Sequence, residues 1–373
     1  MENAFSLGKL FGIQFRLHFT WFIIFILVVI SLSTQYFPTA YPEWSNVVYW
    51  TIGTVTSLLF FASVIAHELA HSLVAKINGI PVKSITLFIF GGVAQITKEA
   101  TKASTELIMA AAGPACSLVI GGLFTLLWLF TKSTSQPVAA MAVWLAQING
   151  LLAVFNLIPG FPLDGGRVFR SLLWRFTGNY SRSTRIATQV GRSVGYLFIL
   201  GGITVMFILH DWFGGLWLAL IGWFLENAAS TSYRQAQWRE GLVGITATQV
   251  MTSDFPVVPS NITVNHLVQS YILTTGRRFF LVADEGGFKG ILTLHNIKSV
   301  SQQDWPTTQV REVMTPVDKL KVAYPDQEAV NILEQMVEND INQMPVVTEG
   351  RVIGLITRDS LLRFLRTRSD LGK

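Results

Sequence analysis

Ser63-Val64-Ile65-Ala66-His67-Glu68-Leu69-Ala70-His71-Ser72-Leu73 closes an apolar run in which, from Val47 to Ala66, the only ionisable side chain is that of Tyr49. A helix crossing about 30 Å of hydrocarbon needs about 20 residues, and this run supplies them. The pentad from His67 to His71 therefore falls within or at the end of a membrane helix. An ionisable side chain there costs roughly 2.5–3.5 kcal/mol, so such a cluster marks function. Residues four apart share a helix face, which lets the His67 and His71 imidazoles reach one ion. Glu68 beside them can take a proton from a water that the ion polarises. The stretch predicts a polytopic α-helical membrane protein and metal-assisted hydrolysis below the membrane surface.

The rest of the chain supports that class. Half of its 373 residues are apolar and 14% are charged, with a mean hydropathy of +0.44, far from a soluble average. Residues 1–240 carry 15 Lys/Arg against 9 Asp/Glu, and residues 241–373 carry 13 against 14. The excess cations sit between apolar runs, which reads as positive-inside loops and not as nucleic-acid binding. One cysteine, Cys116, excludes an internal disulfide framework and reads as helix packing. The N-terminus lacks a small-x-small cleavage site, so the first apolar run is expected to be a retained span.

Apolar runs near 17–33, 47–76, 104–131, 138–158, 189–209 and 212–230 predict about six transmembrane helices. The 34–46 loop and the His210-Asp211 turn have no Lys or Arg. Lys76, Lys83, Lys98 and Lys102 fill one loop, and Arg167, Arg170, Arg175, Arg182, Arg185 and Arg192 another; Arg234 and Arg239 follow the last run. Six spans with both termini cytosolic satisfies this pattern, and five does not. His67 and His71 then lie towards the cytosolic end of the second span, at the depth where the fourth span ends near Asn156–Asp164. The six arginines read as topology determinants and lipid-headgroup contacts. His18, beside Arg16 and Trp21, reads as an interfacial anchor.

From about Gly244 the pattern becomes short β-branched runs alternating with amphipathic helices. It repeats at an offset of about 64 residues: Val250-Met251-Thr252 matches Val313-Met314-Thr315, and Gly290-Ile291-Leu292-Thr293 matches Gly354-Leu355-Ile356-Thr357. Each copy reads strand, helix, strand, strand, helix. The expected domains are 1–232 in the membrane, a linker at 233–244, and repeats at 245–303 and 304–373.

Two histidines leave a catalytic zinc one protein ligand short. Glu99 and Glu106 are conceivable thirds. Asp164 fits better, in Asn156-Leu157-Ile158-Pro159-Gly160-Phe161-Pro162-Leu163-Asp164-Gly165-Gly166, where prolines end the helix and glycines free the backbone around a carboxylate. Read alone, Asp164 also suits a helix cap followed by a turn.

The pentad, the later Asn-x-x-Pro and Leu-Asp-Gly, and the glycine-rich segment between them resemble the site-2 protease family of intramembrane zinc metalloproteases, over roughly residues 1–230. The resemblance implies one Zn²⁺ per chain on His67, His71 and Asp164, with Glu68 as general base and Asn156 contacting substrate or the oxyanion. It implies a single-span membrane protein as substrate, cut in or near its span, and a bacterial inner-membrane location. It also implies that the strand-like segment 84–96, with Gly91-Gly92 at its centre, is a re-entrant β element offering a sheet edge to an unwound substrate. The alternative for that segment is a hairpin with a packing role. Met109-Ala110-Ala111-Ala112-Gly113-Pro114-Ala115 reads as close helix packing without chemistry.

The repeat resembles a pair of cystathionine-β-synthase-type (CBS) domains, a soluble α/β unit implying an adenine nucleotide in the cleft or a homodimer. The family's threonine-x-x-aspartate appears as Thr293-Leu294-His295-Asn296 and Thr357-Arg358-Asp359-Ser360, with both aspartates replaced. A CBS-regulated channel or transporter is the rival reading, and an inactive membrane scaffold a second. A channel predicts ionisable residues spread along several spans. Here they gather in one metal-ligand constellation, Glu226 being the other carboxylate within an apolar run.

Overall fold

Ile13, Phe15 and Leu17 are buried while Gln14, Arg16 and His18 between them are half-buried, a period of two that builds a strand. The span expected from Leu17 therefore starts later, at Thr20. The structure, a computed structural model, describes residues 4–370 apart from 90, 97–99, 286 and 340. Lys98 and Glu99, and Phe90 of the 84–96 segment, thus lie outside the described residues. The chain divides into two compact units between Gln237 and Trp238.

The first unit begins with β1 (Ala4–Leu10) and β2 (Ile13–His18). Next come α1 (Thr20–Ser31), a π-helical turn at Leu32–Tyr36, α2 (Phe37–Ala40) and α3 (Asn46–Ile77). β3 (Val82–Phe88), β4 (Gly91–Ile96), α4 (Ala103–Thr131), α5 (Gln136–Asn156), α6 (Asp164–Thr177), α7 (Tyr180–Ile208) and α8 (Trp212–Gly241) follow. Among the described residues, five stretches are long and apolar enough to cross a membrane: Thr20–Ala40, α3, α4, α5 and α7. The sixth expected run lies in α8, where Glu226 and Asn227 break the apolar sequence. That helix continues through most of the stretch expected to be a linker.

The 84–96 segment forms the β3–β4 hairpin, and the N-terminal hairpin joins it in one sheet of order β1-β2-β3-β4. β2 runs parallel to β3, from Gln14 opposite Ser84 to Leu17 opposite Leu87. β4 is left at an edge of the sheet.

Small side chains set the spacing of the bundle. The buried stripe of α3 includes Gly53, Ser57, Val64, His67, His71 and Ala75, and that of α4 includes Ala110, Gly113, Ser117 and Gly121. Such residues let backbones approach where lipid offers no hydrophobic drive to associate. A Cβ on Gly202 of α7 would lie 2.5 Å from the Gly215 carbonyl oxygen of α8. Gly202→Leu should therefore cost about 1–3 kcal/mol by overpacking and lower the unfolding temperature of the detergent-purified chain. Gly122→Leu, whose Cβ position has no neighbour within 4 Å, should not.

The 163–192 segment, expected as a loop, is helical over α6 and again from Tyr180. The buried face of α6 is Gly165, Gly166, Arg170 and Ser171, while Val168, Phe169, Leu172, Leu173 and Phe176 recur at helical spacing on a more exposed face. Three of the arginines assigned to lipid and topology are ion-paired instead, Arg167 and Arg170 with Glu106 and Arg192 with Glu226.

The second unit repeats one motif. Its first copy has α9 (Ala247–Val250), β5 (Val257–Val258), α10 (Val264–Leu267), a π turn at Val268–Ile272, α11 (Leu273–Thr275), β6 (Phe279–Asp284), β7 (Gly287–Thr293) and α12 (Leu294–Lys298). Its second has α13 (Val310–Val313), β8 (Thr315–Pro316), α14 (Ala329–Glu338), β9 (Gln343–Thr348), β10 (Arg351–Thr357) and α15 (Arg358–Asp370). The copies exchange edges: β8 pairs with β7, while Thr252 bridges Leu355 in β10. Leu281, Ile291 and Leu355 are buried together across that exchange.

Candidate active site

His67 and His71 are both buried, one turn apart on the inward face of α3. Asp164 reaches them from the opening of α6. Pro159 and Pro162 prevent α5 from continuing as helix, and the chain then folds back tightly. A Cβ on Gly165 would lie 2.3 Å from the Leu157 carbonyl carbon, and one on Gly166 2.3 Å from that of Gly160. This close return brings Asp164 Oδ2 to 3.2 Å from His67 Nε2 and 3.0 Å from His71 Nε2, with the two Nε2 atoms 3.2 Å apart.

α4 forms the floor under the imidazoles. His71 Nδ1 lies 2.7 Å from the Met109 carbonyl oxygen, which only accepts, so Nδ1 carries a proton and donates it. His67 Nδ1 is 2.9 Å from Ser117 Oγ. Between them Gly113 presents bare backbone: a Cβ there would stand 2.1 Å from His71 Nε2 and 2.6 Å from His67 Nε2. Gly113 thus bears on the site, beyond the packing role expected from its sequence. Met109, Gly113 and Ser117 recur every four residues, as His67 and His71 do, and that shared spacing was the available signal.

Two imidazole nitrogens and a carboxylate oxygen within 3.2 Å repel unless protons or a cation stand between them. A tetrahedral site with ligand bonds of about 2.0–2.2 Å has edges of about 3.3–3.6 Å, close to the observed triangle. The donor set, the Nδ1 partners that orient both rings, and the clearance left by Gly113 all suit zinc. Among the described residues, His67, His71 and Asp164 form the one such group of possible metal ligands. Asp164 remains a carboxylate at physiological pH. Burial alone raises its carboxyl, but hydrogen bonding and charge from His67 and His71 outweigh that and hold it at about 2.

Glu68 is half-buried against β4, where a Cβ on Gly92 would lie 2.4 Å from Glu68 Cγ. Asn156 is half-buried as the last residue of α5, before the loop that leads to Asp164. Glu106, the alternative third ligand, is engaged by Arg170 instead: Arg170 Nε donates to Glu106 Oε1 at 2.8 Å. His18 Nδ1 is 2.8 Å from Thr20 Oγ1.

In the second unit, Thr293 and Asn296 close a capping box at the start of α12. Asn296 Oδ1 accepts from Thr293 N at 3.0 Å and from Thr293 Oγ1 at 2.7 Å. Ser360 Oγ likewise accepts from Thr357 N at 3.0 Å and donates to the Thr357 carbonyl at 2.9 Å. The second box closes within its own repeat, whereas Asn296 Nδ2 also donates to Thr315 Oγ1 of the second copy at 3.3 Å.

Residues 55–140 and 131–201 match peptidase family M50, and residues 247–302 and 310–367 each match the CBS domain. A Synechocystis sp. protein with a provisional zinc-metalloprotease name, sll0528, is 37% identical over 98% of this chain and 97% of its own length. Zinc metalloprotease MJ0392 of Methanocaldococcus jannaschii is 30% identical over 97% and 96%. A solved site-2 protease from the same archaeon is 33% identical, covering 62% of this chain and 95% of its own, with a TM-score of 0.44.

Proposed function

The chain belongs to peptidase family M50, and we propose that it is an intramembrane zinc metalloprotease hydrolysing a peptide bond in or near the transmembrane segment of a membrane-anchored protein. The observation that carries this reading is the convergence of His67, His71 and Asp164 beside Glu68, on helices of an integral membrane bundle. One zinc per chain, held by those three side chains, would supply Lewis acidity to the scissile carbonyl. Glu68 takes the proton of the attacking water and returns it to the leaving amine. Asn156 donates to the oxygen on which charge develops, a contribution typically worth about 10²–10³ in rate. A helical substrate hides its carbonyls in internal hydrogen bonds and must be extended before attack. The edge strand β4, lying against Glu68, can pair with such an extended segment and hold it beside the base.

The cation distribution supports cytosolic termini, counting α8 as a sixth crossing, and we place the chain in a bacterial inner membrane. A single-span protein entering from the bilayer is the partner that this geometry suits. For the CBS pair we favour assembly, as a homodimer, over an adenine nucleotide. The acceptors of Asn296 and Ser360, where the family's ribose-binding aspartates would stand, are already used by their own capping boxes. Cleavage rates should accordingly stay flat across added adenine nucleotides in a reconstituted assay. A dose-dependent change would return the cleft to nucleotide.

Metal analysis of the purified full chain tests the site. Wild type and Glu68→Gln should each hold one zinc, His67→Ala should lose it, and Asp164→Ala, left with two ligands, should bind it with weaker but measurable affinity. Full occupancy in Asp164→Ala would remove Asp164 from the ligand set.

A further inference from the structure

A buried charged pair stands where the two halves of the site meet, and the chemistry above does not use it. Glu106, in the first turn of α4, is 1% exposed, and Arg170, on α6, is 7% exposed. Arg170 donates to Glu106 Oε1 through Nε at 2.8 Å and through Nη2. Arg167 Nε approaches the same oxygen at 3.9 Å. The Arg170 guanidinium also packs on two rings, 4.8 Å from the Phe161 centroid and 4.7 Å from that of Tyr180. Removing two charges from water is costly, and a buried pair is weak evidence for stability by itself. Its place in the fold suggests a different use.

α4 presents Glu106, Met109, Gly113 and Ser117 on successive turns. The last three bear on the imidazoles of α3, as described above. Glu106 lies one turn earlier and grips α6, which opens with Asp164 six residues before Arg170. One helix therefore holds both halves of the triad, the histidines through its middle and the carboxylate through its first turn. The glycines at 165 and 166 fix α6 only against the loop from α5.

We propose that the Glu106–Arg170 pair is a positioning element: it locks α6 onto α4 so that the Asp164 carboxylate meets the ion held by His67 and His71. This rests on the zinc reading of the triad. Without the pair, α6 keeps its packing against α4 but loses the charged link that fixes its register, and Asp164 draws back from the ion while both histidines stay on α3.

The test is zinc affinity, by chelator competition on the detergent-purified full chain, in a cycle of Glu106→Gln, Asp164→Ala and the double variant. Glu106→Gln should weaken binding about 10–100-fold, the range for groups that orient metal ligands. It should add nothing in the Asp164→Ala background, because the group it positions is gone. Equal weakening in both backgrounds would mean general structural support and would overturn the proposal, as would no weakening in either. If loss of the Glu106 charge alone prevents folding, Glu106→Gln/Arg170→Gln removes both buried charges and enters the same cycle. Wild-type affinity in Asp164→Ala alone overturns the ligand reading as well, so the two failures are distinguishable.

Discussion

Gly113→Ala is expected to abolish zinc binding and proteolysis together while leaving the helices folded. The added Cβ would stand 2.1 Å from His71 Nε2 and 2.6 Å from His67 Nε2, where nonbonded contacts settle near about 3.5 Å. At least one ring must move by about an ångström. Both are tethered from behind, His71 by the Met109 carbonyl and His67 by Ser117, so moving them also breaks the contacts that orient them. A displacement of 1 Å at a reacting centre costs about 10² in rate, and here it also separates metal ligands. Zinc content and cleavage of a membrane reporter should fall in parallel. Gly122→Ala on the same helix, with no atom within 4 Å of the new Cβ, should retain both. Full zinc in Gly113→Ala would contradict the placement of α4 under the site.

Glu68→Gln should separate the two. The amide keeps the size of the carboxylate and its fit against β4 at Gly92, but it cannot accept a proton. General acid–base catalysis is typically worth about 10²–10⁴, so single-turnover cleavage should slow by that factor with zinc unchanged. Equal rates in wild type and variant would exclude Glu68 as the base.

Much of this site is legible in the sequence because its parts are local. The pentad needs only helical periodicity, and the Asn156–Gly166 stretch announces an unwound turn through its prolines and glycines. The CBS repeat shows itself by self-similarity. What stayed hidden depends on residues far apart in the chain. Glu106 and Arg170 leave no pattern in either neighbourhood, and each looks like an ordinary boundary charge until α4 and α6 are packed. Gly113 reads as a small residue in an apolar helix, because the four-residue spacing it shares with His67 and His71 shows its meaning only once α3 and α4 are packed together. Ile13, Phe15 and Leu17 alternate as a strand should, but they abut an apolar helix and merge into its run. α6 carries a helical period, Val168, Phe169, Leu172, Leu173 and Phe176, which the arginine-rich composition of the segment overshadows. The run at 212–230 is less apolar than the other five because Glu226 and Asn227 interrupt it.

The central claim is that this centre cuts another protein in or beside its membrane span. It is tested most directly by mass mapping of the products from a single-span reporter co-reconstituted with the full chain in proteoliposomes. The account predicts a cut within the reporter's span or at its edge, present with wild type and missing with Glu68→Gln. Cutting confined to the reporter's soluble domain, or the same products with both chains, would contradict it.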